Sequence, residues 1–135
     1  SQLSARLSGK VESCIISLVD YYPKTKRNLA KLLLKFNFSP EALPDFYNFL
    51  CKLKAAADAQ NIKLSCCCED DQAFSRAGIF NTGCISREWL QTITGQPVEL
   101  TRHKGQRPGC QCVFSKDIGA YNTCRHGCLY CYACR

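Results

Sequence analysis

The chain has 135 residues and a net charge of +7 from 18 basic and 11 acidic side chains, a length that fits one ordinary domain with a core of its own. Its apolar run Cys14–Ile15–Ile16 stops at Ser17, far too soon for a helical membrane span. Twelve cysteines could form a disulfide framework, but Cys66, Cys67 and Cys68 are consecutive in a predicted strand, where neighbours point to opposite faces. The thiols are therefore read as metal ligands and small core residues in a reducing cytoplasm.

The opening S-Q-L-S-A-R-L-S-G reads as a helix end closed by Gly9. The chain also lacks methionine, so it is expected to be the C-terminal part of a longer protein. Val11–Val19 is rich in Ile, Leu and Val without alternation, which predicts a strand buried on both faces of a parallel sheet. A helix is expected from Thr25 to Phe36, with Arg27, Lys31 and Lys35 on a solvated stripe. A second helix starts at Ser39–Pro40–Glu41 or at Pro44 and runs to about Gln60. It carries Leu43, Phe46, Phe49, Leu50, Leu53 and Ala57 toward the core. Ile62–Cys68 is the next strand.

Strand, helices and strand make a βαβ crossover, so the fold class is α/β, a partial parallel sheet of the kind found in a TIM-like barrel. Asp20 and Glu69 fall at the carboxyl ends of their strands, where such folds place active sites. They are weak catalytic candidates, and helix capping or plain solvation is the competing role. Ser75–Thr82 reads as irregular, and Ser86–Thr94 as a short helix capped by Ser86 and stopped by Gly95. After Pro97 regular structure fades, giving an α/β domain over residues 1–97 and an irregular cysteine-rich tail over 98–135.

From Thr101 onward six Lys or Arg face one acid, Asp117. A basic tail suits nucleic acid, the surroundings of an anionic cluster, or a solvated face. Within it Cys124, Cys128 and Cys131 are spaced C-x-x-x-C-x-x-C, with Gly127 easing the tight wrap. Three thiolates at this spacing suit a 4Fe-4S cluster with one iron left open, and that iron can take S-adenosylmethionine. Cys110-Gln111-Cys112 is a second, weaker pair. Cys134 extends the run to C-x-x-C-x-x-C, as in bacterial ferredoxins, and would close the fourth iron if it ligated.

The run T-C-R-H-G-C-L-Y-C-Y-A-C-R resembles the cluster loop of radical S-adenosylmethionine enzymes, which implies that Tyr130 packs near the adenine. The wider stretch Arg107–Ala133 resembles the C-terminal tail of an uncharacterised prokaryotic domain-of-unknown-function family whose cysteine cluster is itself similar to that loop. Ser17–Asp20, Cys67–Glu69 and Gly83–Ser86 are similar to that family as well. The resemblance implies a second site of Cys67, Cys84, Cys110 and Cys112, holding an auxiliary iron–sulfur cluster or a structural zinc. It also implies an electron-donor protein partner and a substrate that is a small molecule or unknown, with no membrane involvement. The order is unusual, because radical enzymes usually carry this loop ahead of their barrel. Two other classes stay open: a ferredoxin-like electron carrier using Cys134, and a zinc-bound nucleic-acid module built on Cys110, Cys112, Cys128, Cys131 and His126.

Overall fold

A computed structural model describes residues 2–19, 23–30, 44–69, 72–99, 101, 104–116, 118–131 and 133. Its elements in chain order are α1 (Gln2–Leu7), β1 (Ser13–Ile16), α2 (Pro23–Ala30), α3 (Phe46–Asp58), β2 (Lys63–Cys66), α4 (Gln72–Arg76), β3 (Phe80–Asn81) and α5 (Arg87–Thr94). Residues 1–18 and 40–115 form one compact unit, and residues 19–39 and 116–135 form another.

The first unit is built on a three-stranded parallel sheet in the order β1-β2-β3. Ser13 pairs with Lys63 and Ile16 with Cys66, while Ser65 pairs with Phe80 and Cys66 with Asn81. Three hydrogen bonds continue the ladder past the strand ends. Lys63 N–H donates to Glu12 O at 2.9 Å, Cys67 N–H to Ile16 O at 3.1 Å and Thr82 N–H to Cys66 O at 3.1 Å. The mixed helix and strand order and the parallel pairing of β1 with β2 are those the apolar runs predict.

Central strand β2 is covered on both faces: Leu64, Ser65 and Cys66 are all buried. Strand β1 differs from its expectation, because it lies at the sheet edge and Ile15 is 38% exposed. An edge strand has one partner and fewer neighbours to cover its outer face.

Helix α3 lays Phe46, Leu50 and Ala57 into the core, with Leu53 partly buried against it. At 3.6 residues per turn these four positions fall within a narrow stripe, whereas Phe49 sits roughly 60° off it. Phe49 is accordingly exposed, against the sequence expectation. Phe74 on α4 meets Phe46 edge-on, with ring centroids 5.8 Å apart at 70°. Ile79 closes the same cluster. Neither α4 nor β3 is foreseen in the stretch read as irregular, because five and two residues are too few to display a period.

Helix α5 follows its sequence signals. Ser86 Oγ accepts the Trp89 N–H at 3.1 Å, and Gly95 in the left-handed region donates its N–H to Gln91 O at 2.9 Å. In the second unit, the part of the first predicted helix beyond Ala30 lies outside the described residues, as do Lys31, Lys35 and the start signal at Ser39–Glu41.

Leu50 is 1% exposed and surrounded by apolar groups. Leu50→Ala should lower unfolding stability by about 2–5 kcal/mol, against less than about 1 kcal/mol for Phe49→Ala, read by urea denaturation.

Candidate metal centre

The sheet brings three cysteine-bearing segments together at its carboxyl end. Cys67 directly follows β2, and Gly83–Cys84 follow the neighbouring β3. The 110–113 segment runs alongside them, with Val113 N–H donating to Ile85 O at 2.9 Å. In parallel sheets this end is where ligand sites form, because the loops that leave it converge.

Cys66 and Cys67 separate by strand alternation. Cys66 is fully buried in the apolar cluster and donates its S–H to Ile79 O at 3.9 Å, a core role. Cys67 points the other way, and its sulfur lies within 4.8 Å of those of Cys84 and Cys112. These three form a group that could hold a metal ion. Soft thiolate donors of this kind suit zinc, copper(I) or iron.

Close backbone approach makes the grouping possible. Gly83 has φ +74°, and a Cβ there would stand 2.9 Å from both Cys112 N and Gln111 C. Only glycine lets the two strands of chain come so near. Across the contact, Cys112 Sγ accepts the Cys84 N–H at 3.0 Å and the Ile85 N–H at 3.4 Å. Gln106 Nε2 donates to Cys112 O at 2.9 Å and fixes the same residue from behind. Asn81 is a second clamp: its Oδ1 accepts the Cys68 N–H at 3.3 Å and its Nδ2 donates to Gly109 O at 3.1 Å.

These contacts divide the thiols electrostatically. Burial alone would raise Cys112, but the N–H bonds from Ile85 and Cys84, with sulfur contacts from Cys110 and Cys67, bring it below the ordinary thiol value. Cys84 is pushed up to about 12 by desolvation and by contacts with Cys67 and Cys112. Cys68 is also pushed up to about 12, by desolvation and by contacts with Cys67 and Cys110. Cys112 thus gives up its proton more readily than Cys84 or Cys68, which hold theirs until a cation replaces them.

Of the second-site residues expected from sequence, Cys67, Cys84 and Cys112 come together. Cys110 is buried and touches Cys112 and Cys68 through its sulfur, but falls outside the group of three. Cys68 is a neighbouring thiol to which sequence reasoning assigns no role. Strand alternation assigns it to the face opposite Cys67, but Cys68 adopts φ 57°, which turns its sulfur back to 3.9 Å from that of Cys67. Asn81 and Gly83 were missed as positioning residues, although a glycine directly before a cysteine is the signal for such an approach.

The tail lies in the second unit. Cys124 and Cys128 are exposed there and Cys131 is half-buried. Gly127 has φ +64° with open space around it, as the tight loop requires. Tyr130 is 42% exposed. Asn122 N–H donates to Ala133 O at 2.9 Å and closes the loop, and Asn28 of α2 donates to Leu129 O at 3.4 Å. Cys134, Asp117 and Asp20 lie outside the described residues. The Glu69 carboxylate accepts the Leu18 N–H at 2.6 Å and so joins the chain after β2 to the chain after β1. No helix among the described residues is long and apolar enough to cross a membrane.

In the metal-free protein at pH 8, iodoacetamide should label Cys112 faster than Cys84, although Cys84 is the more exposed of the two. A thiol with its value near 12 is thiolate in only about one molecule in ten thousand at that pH, and the thiolate is the nucleophile. Gly83→Ala should erase the difference, because the added Cβ pushes the Cys84 and Ile85 N–H groups off the sulfur. Site-resolved mass spectrometry reads both outcomes, and preferential labelling of Cys84 would contradict the electrostatic assignment.

No curated protein and no solved structure matches the chain. The family described as Domain of unknown function (DUF1848) matches residues 1–133. That span is nearly the whole sequence, and the chain belongs to this family.

Proposed function

We propose that this protein is a thiolate metalloprotein with two centres of different kinds. The observation that carries the reading is the convergence of Cys67, Cys84 and Cys112 within 4.8 Å of one another from three separate segments. Such spacing favours a single ion. Four sulfurs at about 2.3 Å around one tetrahedral zinc stand about 3.8 Å apart. Thiolates around a cubane stand roughly 6 Å apart, because irons and inorganic sulfides lie between them. At the sheet end, then, the centre is a mononuclear zinc-type site with Cys110 as the nearby fourth donor.

The second centre is a 4Fe-4S cluster on Cys124, Cys128 and Cys131. The resemblance of the tail to the radical S-adenosylmethionine loop supports it, as do the exposed sulfurs and the left-handed Gly127. Bound there with one open iron, a cluster supplies an electron for reductive opening of S-adenosylmethionine. The three cysteines hold it and Tyr130 offers its ring to the adenine. An electron-donor protein and a small-molecule substrate complete this reading. The consecutive Cys66, Cys67 and Cys68, and the reading of the other thiols as metal ligands, support a reducing compartment, the cytoplasm. The sequential parallel order β1-β2-β3 supports reading the first unit as an arc of a TIM-like barrel.

Metal analysis of anaerobically purified protein tests the division. About one zinc-type ion and about four irons with four sulfides are expected per chain. Cys84→Ser should lose the single ion and keep the iron, whereas Cys128→Ser should lose iron and sulfide, along with any 5′-deoxyadenosine formed from S-adenosylmethionine under dithionite. Iron that survives Cys128→Ser, or a single ion that survives Cys84→Ser, would overturn the corresponding centre. A full cluster without deoxyadenosine would favour a ferredoxin-like electron carrier.

A further inference from the structure

We infer that Cys68 is a fifth thiol of the sheet-end centre, exchanging with Cys110 for the fourth coordination position of one thiophilic divalent ion. The inference rests on the proposed ion at Cys67, Cys84 and Cys112. A tetrahedral ion bound by those three has one vertex to fill, and two further sulfurs each touch one of the three. Cys110 touches Cys112, Cys68 lies 3.9 Å from Cys67, and Cys110 and Cys68 touch each other. Neither belongs to the group within 4.8 Å, so each would reach the vertex by turning its side chain toward the ion.

The backbone singles out Cys68 as more than a neighbour. Its φ of 57° places a non-glycine residue in the left-handed region, a strained conformation for a residue with a Cβ. The cost is offset by the Asn81 clamp, which accepts the Cys68 N–H while holding Gly109, the residue before Cys110. One side chain thus sets the position of both candidate ligands. Ordinary strand geometry would send the Cys68 sulfur to the opposite face, so the turn is what places a fifth thiol at the site.

Two nearly equal tetrathiolate states make the ion easy to pass on, because an incoming ligand replaces a sulfur that another sulfur can already replace. Loss of one of two equal states only halves the binding constant, about twofold. Loss of both removes a ligand altogether, roughly a hundredfold. Additivity would not connect these two numbers, and their mismatch is the signature of exchange.

The test uses the full chain with Cys124, Cys128, Cys131 and Cys134 changed to Ser, so that only the sheet-end thiols report. Cobalt(II) is titrated, and the intensity and position of its d–d bands count the bound sulfurs. Cys68→Ser and Cys110→Ser should each keep a four-sulfur spectrum and weaken binding by about twofold. The double variant should shift to a three-sulfur spectrum and weaken binding by roughly a hundredfold. A single variant that alone produces the full loss would show a fixed fourth ligand and overturn the exchange, while leaving the three-thiol centre intact. Cobalt binding that survives Cys84→Ser, or no binding by the parent, would instead overturn the centre itself.

Independently of any substitution at the two positions, site-resolved alkylation of the zinc-loaded parent should place label on both Cys68 and Cys110, beside that on Cys14 and Cys51, which stand outside the site. Label at only one of Cys68 and Cys110 would contradict exchange.

Discussion

The sulfur of Cys112, held by the N–H groups of Cys84 and Ile85, is the contact on which the proposed chemistry depends. It joins two segments 28 residues apart and lowers the proton affinity of Cys112, while Cys84 and Cys68 beside it are raised. Without it the thiols would repel as anions or sit inert as neutral groups. With it, one thiol gives up its proton first, and each further thiol can release its own as the ion arrives.

That contact is available because of the sheet. Parallel pairing delivers the ends of β2 and β3 side by side, and thus Cys67 beside the turn that carries Cys84. Gly83 then removes the only bulk between that turn and the 111–112 backbone. The buried side of the same strand, with Leu64, Cys66, Phe74 and Leu50, anchors the arrangement without taking part in it. Alternation along β2 is therefore the device that separates a core thiol from a ligand thiol one residue later.

Much of this could be read from the chain, for identifiable reasons. Apolar runs at Val11–Val19 and Ile62–Cys68 suffice to predict two parallel strands, although two-face burial holds for β2 only and β1 lies at the edge with Ile15 exposed. Capping chemistry at Ser86 and Gly95 marks α5 at both ends. The 67–84–112 grouping is not visible in spacing alone, since it depends on pairing between distant segments, and only resemblance suggests it. Cys68 is hidden for a different reason: a single left-handed residue reverses the direction that strand periodicity assigns. Likewise α4 and β3 are too short to carry a period, and the exposure of Phe49 depends on how narrow the core face of α3 is.

The tail and the sheet end assign different work to cysteine. At the sheet end, the sulfurs of buried Cys67, exposed Cys84 and half-buried Cys112 converge within 4.8 Å of one another, a group that could hold a metal ion. In the tail, exposed Cys124 and Cys128 and half-buried Cys131 sit on a loop closed by Asn122 and Ala133, where the proposed cluster would bind. The most direct test of the first assignment is the X-ray absorption spectrum of zinc bound to the full chain with its tail cysteines substituted. A single shell of sulfur at about 2.3 Å with no metal neighbour is the predicted result. Metal–metal scattering, or a shell dominated by nitrogen and oxygen, would contradict a mononuclear thiolate centre.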